Sequence, residues 1–356
     1  MSIKNIYKEC KVNISDIDKE VFAKFDYKFD GKSNFKHDFV FAQPKNFNIG
    51  VIYGSSGSGK TTLLRKFGTE KKIEWDNKKS VLSHFKNSDE AVEKLSAVGF
   101  NSVPSWGKPK YVLSTGEGFR VDMARRLEDN TVIDEYTSVI NRETAKSCSL
   151  SLAKYIRKND IKNFVFATCH DDILDWLKPD WIYNTDLKTM ERGSLRQTPE
   201  FVVEILPCTH QIWSLFSRHH YLTSKLNTAT RNWVAIWENK PVGFISAIYH
   251  PQPYHEEDCW REHRIVILPD YQGMGLGSKL SETIGEIFIK NKCRYYTKTA
   301  HPKLGQYRDK SNKWRGTVHN HKERKYSQSA DNPKRTNIGF QKITRTSYCH
   351  EYIGKG

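Results

Sequence analysis

No stretch of this 356-residue chain is apolar over anything near the ~20 residues that span a bilayer, so no membrane helix is expected. The N-terminal MSIKNIYKECKVNISDIDKE is polar and of mixed charge, without the apolar centre of a secretory signal. The seven cysteines, at 10, 148, 169, 208, 259, 293 and 349, are scattered and form no C-x-x-C. Structural disulfides are therefore not expected, and a reduced, cytoplasmic setting is. Internal repeats and low-complexity tracts are lacking as well. Acidic charge is scarce in one region only. Residues 290–356 hold 17 Lys/Arg against 4 Asp/Glu, so +13 of the net +16 lies there and the other 289 residues carry +3. Such a block either neutralises the phosphates of a polyanion or is a solvated face.

Against these absences stand two glycine loops about two hundred residues apart. The length allows two domains. Alternating apolar residues predict strands at 21–29 and 35–41 around a turn at Asp30-Gly31-Lys32. Strands are also expected at 49–53, 131–133 and 164–167, with helices at 61–67, near 89–95 and at 142–158. That alternation implies a largely parallel sheet covered by helices. The polar stretch 186–199 marks a boundary between a first domain, 1–195, and a second, 196–356. The second reads as strand 201–206, hairpin 233–237/242–249, strand 264–268, helix 279–289 and strand 294–299, then a basic insertion at about 309–335. Trp314 and Tyr326 lie within that insertion, and aromatics among Lys/Arg suit unstacked bases.

The first loop is Gly54-Ser55-Ser56-Gly57-Ser58-Gly59-Lys60-Thr61, followed by Thr62, between a strand and a helix. Successive backbone N–H groups there wrap phosphates, Lys60 reaches the β- and γ-phosphates, and Thr61 holds Mg²⁺. Three later segments identify a subclass. Leu113-Ser114-Thr115-Gly116-Glu117 resembles the LSGGQ signature of ABC-type ATPases, Val132-Ile133-Asp134-Glu135 their Walker B strand, and Thr168-Cys169-His170 their switch-histidine segment. The resemblance implies ATP, Mg²⁺ held by Thr61 and Asp134, Glu135 polarising the attacking water, and His170 on the γ-phosphate. It also implies an ATP-dependent homodimer in which Ser114 and Gly116 act in trans. Two departures matter: no glutamine lies between Lys60 and Leu113, which have only 52 residues between them, and Asn141 stands where a D-loop aspartate is common. With no membrane segment, work other than transport is implied.

The second loop, Gln272-Gly273-Met274-Gly275-Leu276-Gly277, follows the run Arg264-Ile265-Val266-Ile267-Leu268 and precedes Ser278 and a helix. It resembles motif A of the GNAT acyltransferases, in which backbone amides and a helix end meet the coenzyme A pyrophosphate. Asn337-Ile338-Gly339-Phe340 is similar to the family's G-F element. The fold class implied for the chain is thus α/β: a P-loop ABC-type ATPase domain followed by a GNAT-fold α+β domain using acetyl-CoA or a related acyl-CoA. A GNAT enzyme needs a base for the acceptor amine and a donor for the thiolate. Glu256, Glu257, Asp258 and Glu262 are candidate bases, and Tyr307 a candidate thiolate donor. Arg218-His219-His220-Tyr221-Leu222 is locally similar to the His-Tyr segment of the GNAT-related Mom proteins, which modify adenine in phage DNA. Cys208, His210, His219, His220 and His255 could contribute to a metal site but have no firm ligand spacing. The expected activity is ATP-coupled acyl transfer to a nucleic-acid base, DNA before RNA. The alternatives are acetylation of a protein or small amine under ATPase control, and a nucleotide-switched DNA clamp without acyl transfer.

Overall fold

The computed structural model describes residues 2–3, 6–37, 41–42, 44–193, 202–220, 225–325 and 344–354. The chain divides into two compact units. One is Met1–Lys79 with Ser83–Val98 and Lys110–Pro199; the other is Ser80–Leu82 with Gly99–Pro109 and Glu200–Gly356.

The first unit begins with an antiparallel pair, β1 (Ile6–Lys11) and β2 (Lys32–His37). Between them Asp16–Lys24 forms helix α1, where part of the 21–29 strand was expected. The reason is a reciprocal cap: Ser15 N–H donates to Asp18 Oδ2 at 2.8 Å, and Asp18 N–H to Ser15 Oγ at 3.3 Å. Two helix-end donors are thereby satisfied. The main sheet comprises β3 (Ile49–Tyr53), β4 (Val132–Ile133), β5 (Phe164–Thr168), β6 (Trp181–Asn184) and β7 (Thr189–Arg192), in the order β4-β5-β3-β6-β7. The first four are parallel and β7 is an antiparallel edge. All of Phe164–Thr168 is buried, as a parallel strand covered on both faces should be. Helices α2 (Lys60–Leu64), α3 (Ser88–Ala97), α4 (Thr115–Arg125) and α5 (Arg142–Lys158) accompany the sheet. Along α5, Ala145, Cys148, Leu152 and Ile156 repeat at helical spacing and are buried. The glycine loop, Asp134 and His170 all follow the C-terminal ends of the adjacent strands β3, β4 and β5, where open α/β sheets bind ligands.

The second unit has strands β8 (Glu204–Pro207), β9 (Thr230–Trp237), β10 (Lys240–Tyr249), β11 (Cys259–Ile267), β12 (Arg294–Thr299), β13 (Trp314–Gly316), β14 (Lys322–Lys325) and β15 (Thr344–Tyr352). Their order is β8-β9-β10-β11-β12-β15-β13, with β14 also paired to β15. Only β11–β12 is parallel in this sheet, and the connection it requires is helix α7 (Leu276–Lys290). Helices α6 (Trp213–Phe216) and α8 (Pro302–Lys310) complete the unit. One core contains Trp233, Trp260, Leu280, Ile284, Phe288 and Tyr295; another contains Trp213, Phe216, Val234, Phe244 and Val266. Segments 80–82 and 99–109 join this unit, with Val81 N–H donating to Lys108 O at 2.9 Å. A boundary drawn once along the chain does not capture that. Phe201, Tyr221, Tyr326 and the Asn337–Phe340 element lie outside the described residues.

Candidate active sites

The first glycine loop leaves β3 and turns into α2. Ser56, Gly57, Gly59, Lys60, Thr61, Thr62, Asp134, Glu135, Ser138 and Cys169 line one cleft of about 390 Å³. Three parts of the chain that are distant in sequence therefore meet as expected, with the two proposed Mg²⁺ ligands, Thr61 and Asp134, on the same cleft. Lys60 Nζ donates to the carbonyls of Gly54 (3.0 Å) and Ser55 (2.6 Å), which holds the ammonium over the loop. The loop is braced from the turn after β6. Ser55 N–H and Oγ–H both donate to the Asp186 carboxylate at 2.7 Å, and the Ser58 and Thr185 hydroxyls lie 2.6 Å apart. A Cβ on Gly54 would stand 2.1 Å from Thr185 Oγ1, so the position admits only glycine. Asp186 lies 131 residues beyond Ser55, and no local motif announces it.

His170 does not line the cleft; Cys169 does. The imidazole Nδ1 lies 3.2 Å from Thr137 Oγ1, beside the Arg142–Asp172 ion pair. Burial holds His170 below its usual pKa, with Arg142 helping and Asp172 and Asp171 opposing, so the ring is neutral near pH 7. Glu135 adopts a left-handed φ of 47°, an uncommon conformation for a side-chain-bearing residue. Ser114 is exposed and caps α4 in a reciprocal box with Glu117 (3.0 and 3.3 Å), and neither it nor Gly116 lines the cleft of its own chain.

In the second unit, β11 and β12 pair only at Cys259–Arg294, Trp260–Tyr295 and Arg261–Tyr296. Beyond these rungs β11 runs on unpaired to β12, toward the second glycine loop. That loop is held at its first residue: Gln272 Nε2 donates to Ile267 O at 2.8 Å, and Gln272 Oε1 accepts Asn101 N–H at 2.9 Å. Gln272 is thus an anchor. Gly275 (φ 88°) begins α7, and a Cβ there would meet nothing within 4 Å. At Gly277 the nearest atom would be Ile267 Cγ1, at 3.7 Å. Gly273, Met274, Leu276 and Ser278 continue the same turn into the helix.

The catalytic carboxylate expected at Glu262 is corrected. Its side chain is buried and accepts from Arg308 Nη2 (3.0 and 3.2 Å) and from Ser281 Oγ (2.6 Å). Arg308 is fully buried. A carboxylate so buried and ion-paired serves as the counter-ion of a buried cation. Asp258 accepts from Tyr249 OH at 3.1 Å and, with Glu256 and Glu257, precedes β11 at the end where the two strands are paired. Tyr307 donates to Glu282, and burial together with Glu282 pushes the phenol up to about 12. Trp314 is buried, under the Arg308 guanidinium (4.7 Å) and edge-on to Tyr352 (4.8 Å), so it is a packing residue and not a stacking platform. Among the described residues no group of three or more His, Cys, Asp or Glu could hold a metal, which removes the Cys208/His210/His219/His220/His255 site. Among them also, no helix is long and apolar enough to cross a membrane.

Residues 195–306 match the acetyltransferase (GNAT) family. The second unit accordingly has the GNAT fold. Among solved structures, the chain is similar to a dimeric ATP-binding cassette in a post-hydrolysis state with ADP and phosphate, at 14% identity over 56% of this chain and 99% of that one, TM-score 0.38. It is similar to a GNAT family acetyltransferase from Elizabethkingia anophelis with acetyl-CoA bound, at 16% identity over 43% and 98%, TM-score 0.30. It is also similar to Arabidopsis thaliana Naa50 with a bisubstrate analogue, at 14% identity over 42% and 97%, TM-score 0.30. No curated protein matches the chain.

Proposed function

We propose that this chain is an ATP-hydrolysing, acetyl-CoA-dependent acyltransferase that modifies a base of a nucleic acid, DNA before RNA. The observation that carries the reading is the pairing, in one chain, of a GNAT match over residues 195–306 with a cleft where Lys60, Thr61, Asp134 and Glu135 converge. Thr61 and Asp134 offer oxygen donors suited to Mg²⁺, which when bound would screen the developing phosphate charge. Lys60 neutralises the β- and γ-phosphates, and Glu135 orients the attacking water. Ser114, exposed at the start of α4, and the partly exposed Gly116 in its first turn support a homodimer that closes on ATP. In the second unit the amides of residues 273–278 hold the CoA pyrophosphate, and the gap between β11 and β12 takes the thioester. The acceptor nitrogen attacks the thioester carbon, a C–N bond forms, the C–S bonding pair leaves on sulfur, and the proton that the nitrogen loses passes to water. The seven cysteines, all free, support a reducing, cytoplasmic setting.

The decisive experiment is mass spectrometry of nucleosides from cells expressing the chain, beside release of free CoA from labelled acetyl-CoA with and without DNA or RNA. A new acylated nucleoside, dependent on Lys60 and Gly275, is the expected result. CoA release that ignores nucleic acid but responds to peptides or amines would replace the acceptor. Nucleic-acid binding with no CoA release would leave a clamp.

A further inference from the structure

The residue after Glu262 faces another way. β11 and β10 are in register at Ala247–Glu262 and again at Ser246–Arg264, so His263 is an extra residue, a bulge. Glu262 points to Ser281 on α7. His263 and Arg264 instead touch the segment that leads into β9. Asn227 N–H donates to His263 Nε2 at 3.4 Å, Arg264 Nη1 to His263 O at 2.8 Å, and Arg264 Nη2 reaches Lys225 O at 3.5 Å. In register with Arg264 across the sheet are Ser246 and then Asn232. The Ser246 hydroxyl is fully buried and has no hydrogen-bond partner among the described residues, an omission that normally signals a missing ligand or water. Burial, and after it the Arg264 and Arg261 guanidinium groups, hold the His263 ring down to about 4. Arg261 also acts on His250. Arg261 is partly exposed, and its side chain makes no ion pair or hydrogen bond among the described residues.

We infer that this face of the sheet, around Arg261, His263, Arg264 and Ser246, binds the acceptor, and that the acceptor is a nucleotide of a nucleic-acid strand. The inference rests on the acyltransferase reading and gives its acceptor side a place and a charge. A cationic amine, such as a polyamine or a lysine side chain, would meet like charges in a partly desolvated setting, where repulsion is several times stronger than in water. A phosphate meets the Arg261 fork, which suits it in charge and in bidentate geometry. The neutral His263 ring remains for the uncharged edge of a base.

The test is an anisotropy titration of the full chain with a labelled single-stranded 20-mer oligodeoxynucleotide at a series of salt concentrations. Arg261→Gln should weaken binding and lower the log–log salt slope by about 0.7, one phosphate's worth on a single strand. Arg261→Lys should restore the slope. His263→Gln should weaken binding without changing the slope. Acetyl-CoA affinity, measured separately by calorimetry, should be the same in all variants. Transfer from labelled acetyl-CoA should reach the oligonucleotide, and free dAMP more weakly, but not spermine. Wild-type affinity and slope in both Arg261→Gln and His263→Gln would overturn the inference while leaving the acyltransferase reading intact, and so would efficient acetylation of spermine. Loss of acetyl-CoA binding in the wild type, with the Arg261 effect preserved, would overturn the acyltransferase reading and keep this face as a nucleic-acid site.

Discussion

The two glycine loops resemble phosphate-binding motifs of two kinds, and they are held in different ways. The first is gripped from outside. Asp186 takes both donors of Ser55, Thr185 meets Ser58, and Gly54 has no room for a methyl group. The second is held at its entry, through Gln272, and a Cβ on its central Gly275 would meet no described atom within 4 Å. Glycine is thus demanded at Gly54 by the protein's own atoms, but at Gly275 by φ and by whatever approaches the backbone. A glycine motif names a backbone shape; the surroundings show whether protein or ligand requires it.

The largest expected effect tests the first loop as a nucleotide site. Lys60→Ala should abolish ATP binding, since the one ammonium over the loop is lost. Glu135→Gln should bind ATP but stop turnover and accumulate a dimer. Sedimentation of Glu135→Gln with ATP that finds monomer alone would end the two-subunit sandwich. Next in size is a lesion confined to the second unit. Trp314→Ala empties a buried site and should cost about 3–5 kcal/mol of stability. It should lower the thermal midpoint of acetyl-CoA binding while leaving ATP affinity at its wild-type value. If Trp314→Ala instead loses single-strand affinity with no loss of stability, the indole is a stacking platform after all.

A matched pair of substitutions addresses the comparison directly. Gly54→Ala drives a methyl group into Thr185 Oγ1 and should cost about 1–3 kcal/mol of overpacking, read as a 10- to 100-fold weaker ATP Kd. Gly275→Ala meets no protein atom and pays only for its left-handed φ, about 1–2 kcal/mol. The fold should survive it, yet acetyl-CoA should bind more weakly, because the methyl group lies where the pyrophosphate would come. Gly275→Glu adds a repelling charge and should abolish binding. Calorimetry showing unchanged acetyl-CoA affinity in a folded Gly275→Glu chain would remove coenzyme A from this loop.

Much of this was legible in the sequence wherever chemistry needs consecutive residues. The 54–61 and 272–277 loops, the strand before Asp134, and the 142–158 helix all appear where patterning puts them. What was illegible depends on partners far along the chain. Glu262 reads as a free carboxylate until Arg308, 46 residues later, is found against it. Asp186 reads as a turn residue, and segment 99–109 as part of the first domain, because neither carries a local mark of its tertiary contacts. Trp314 looks like an aromatic in a basic insertion, and only the pairing of Trp314–Gly316 with β15 shows that it is buried. The α1 helix is a different case. Its cap, Ser15 with Asp18, is local in sequence, and it prevails over the alternation after Val21.

The smallest effect expected is at Tyr307. A phenol pushed up to about 12 would give its proton to a thiolate whose own value is about 8.5 only against a gradient of roughly three orders of magnitude. The thiolate can depart unprotonated at a lower cost, so Tyr307→Phe should reduce the transfer rate by less than about tenfold. Its effect on stability has a definite pH signature. The folded value lies above the ordinary 10, so the fold favours the neutral phenol, and that contribution is whole below pH 10 and fades as pH rises through about 12. Wild type and Tyr307→Phe should therefore differ by a constant amount from pH 7 to 9 and converge above pH 10 in thermal melts. A rate loss of a hundredfold or more with unchanged melting would show that the hydroxyl leaves Glu282 during the reaction and serves the thiolate, and it would return Tyr307 to the catalytic step.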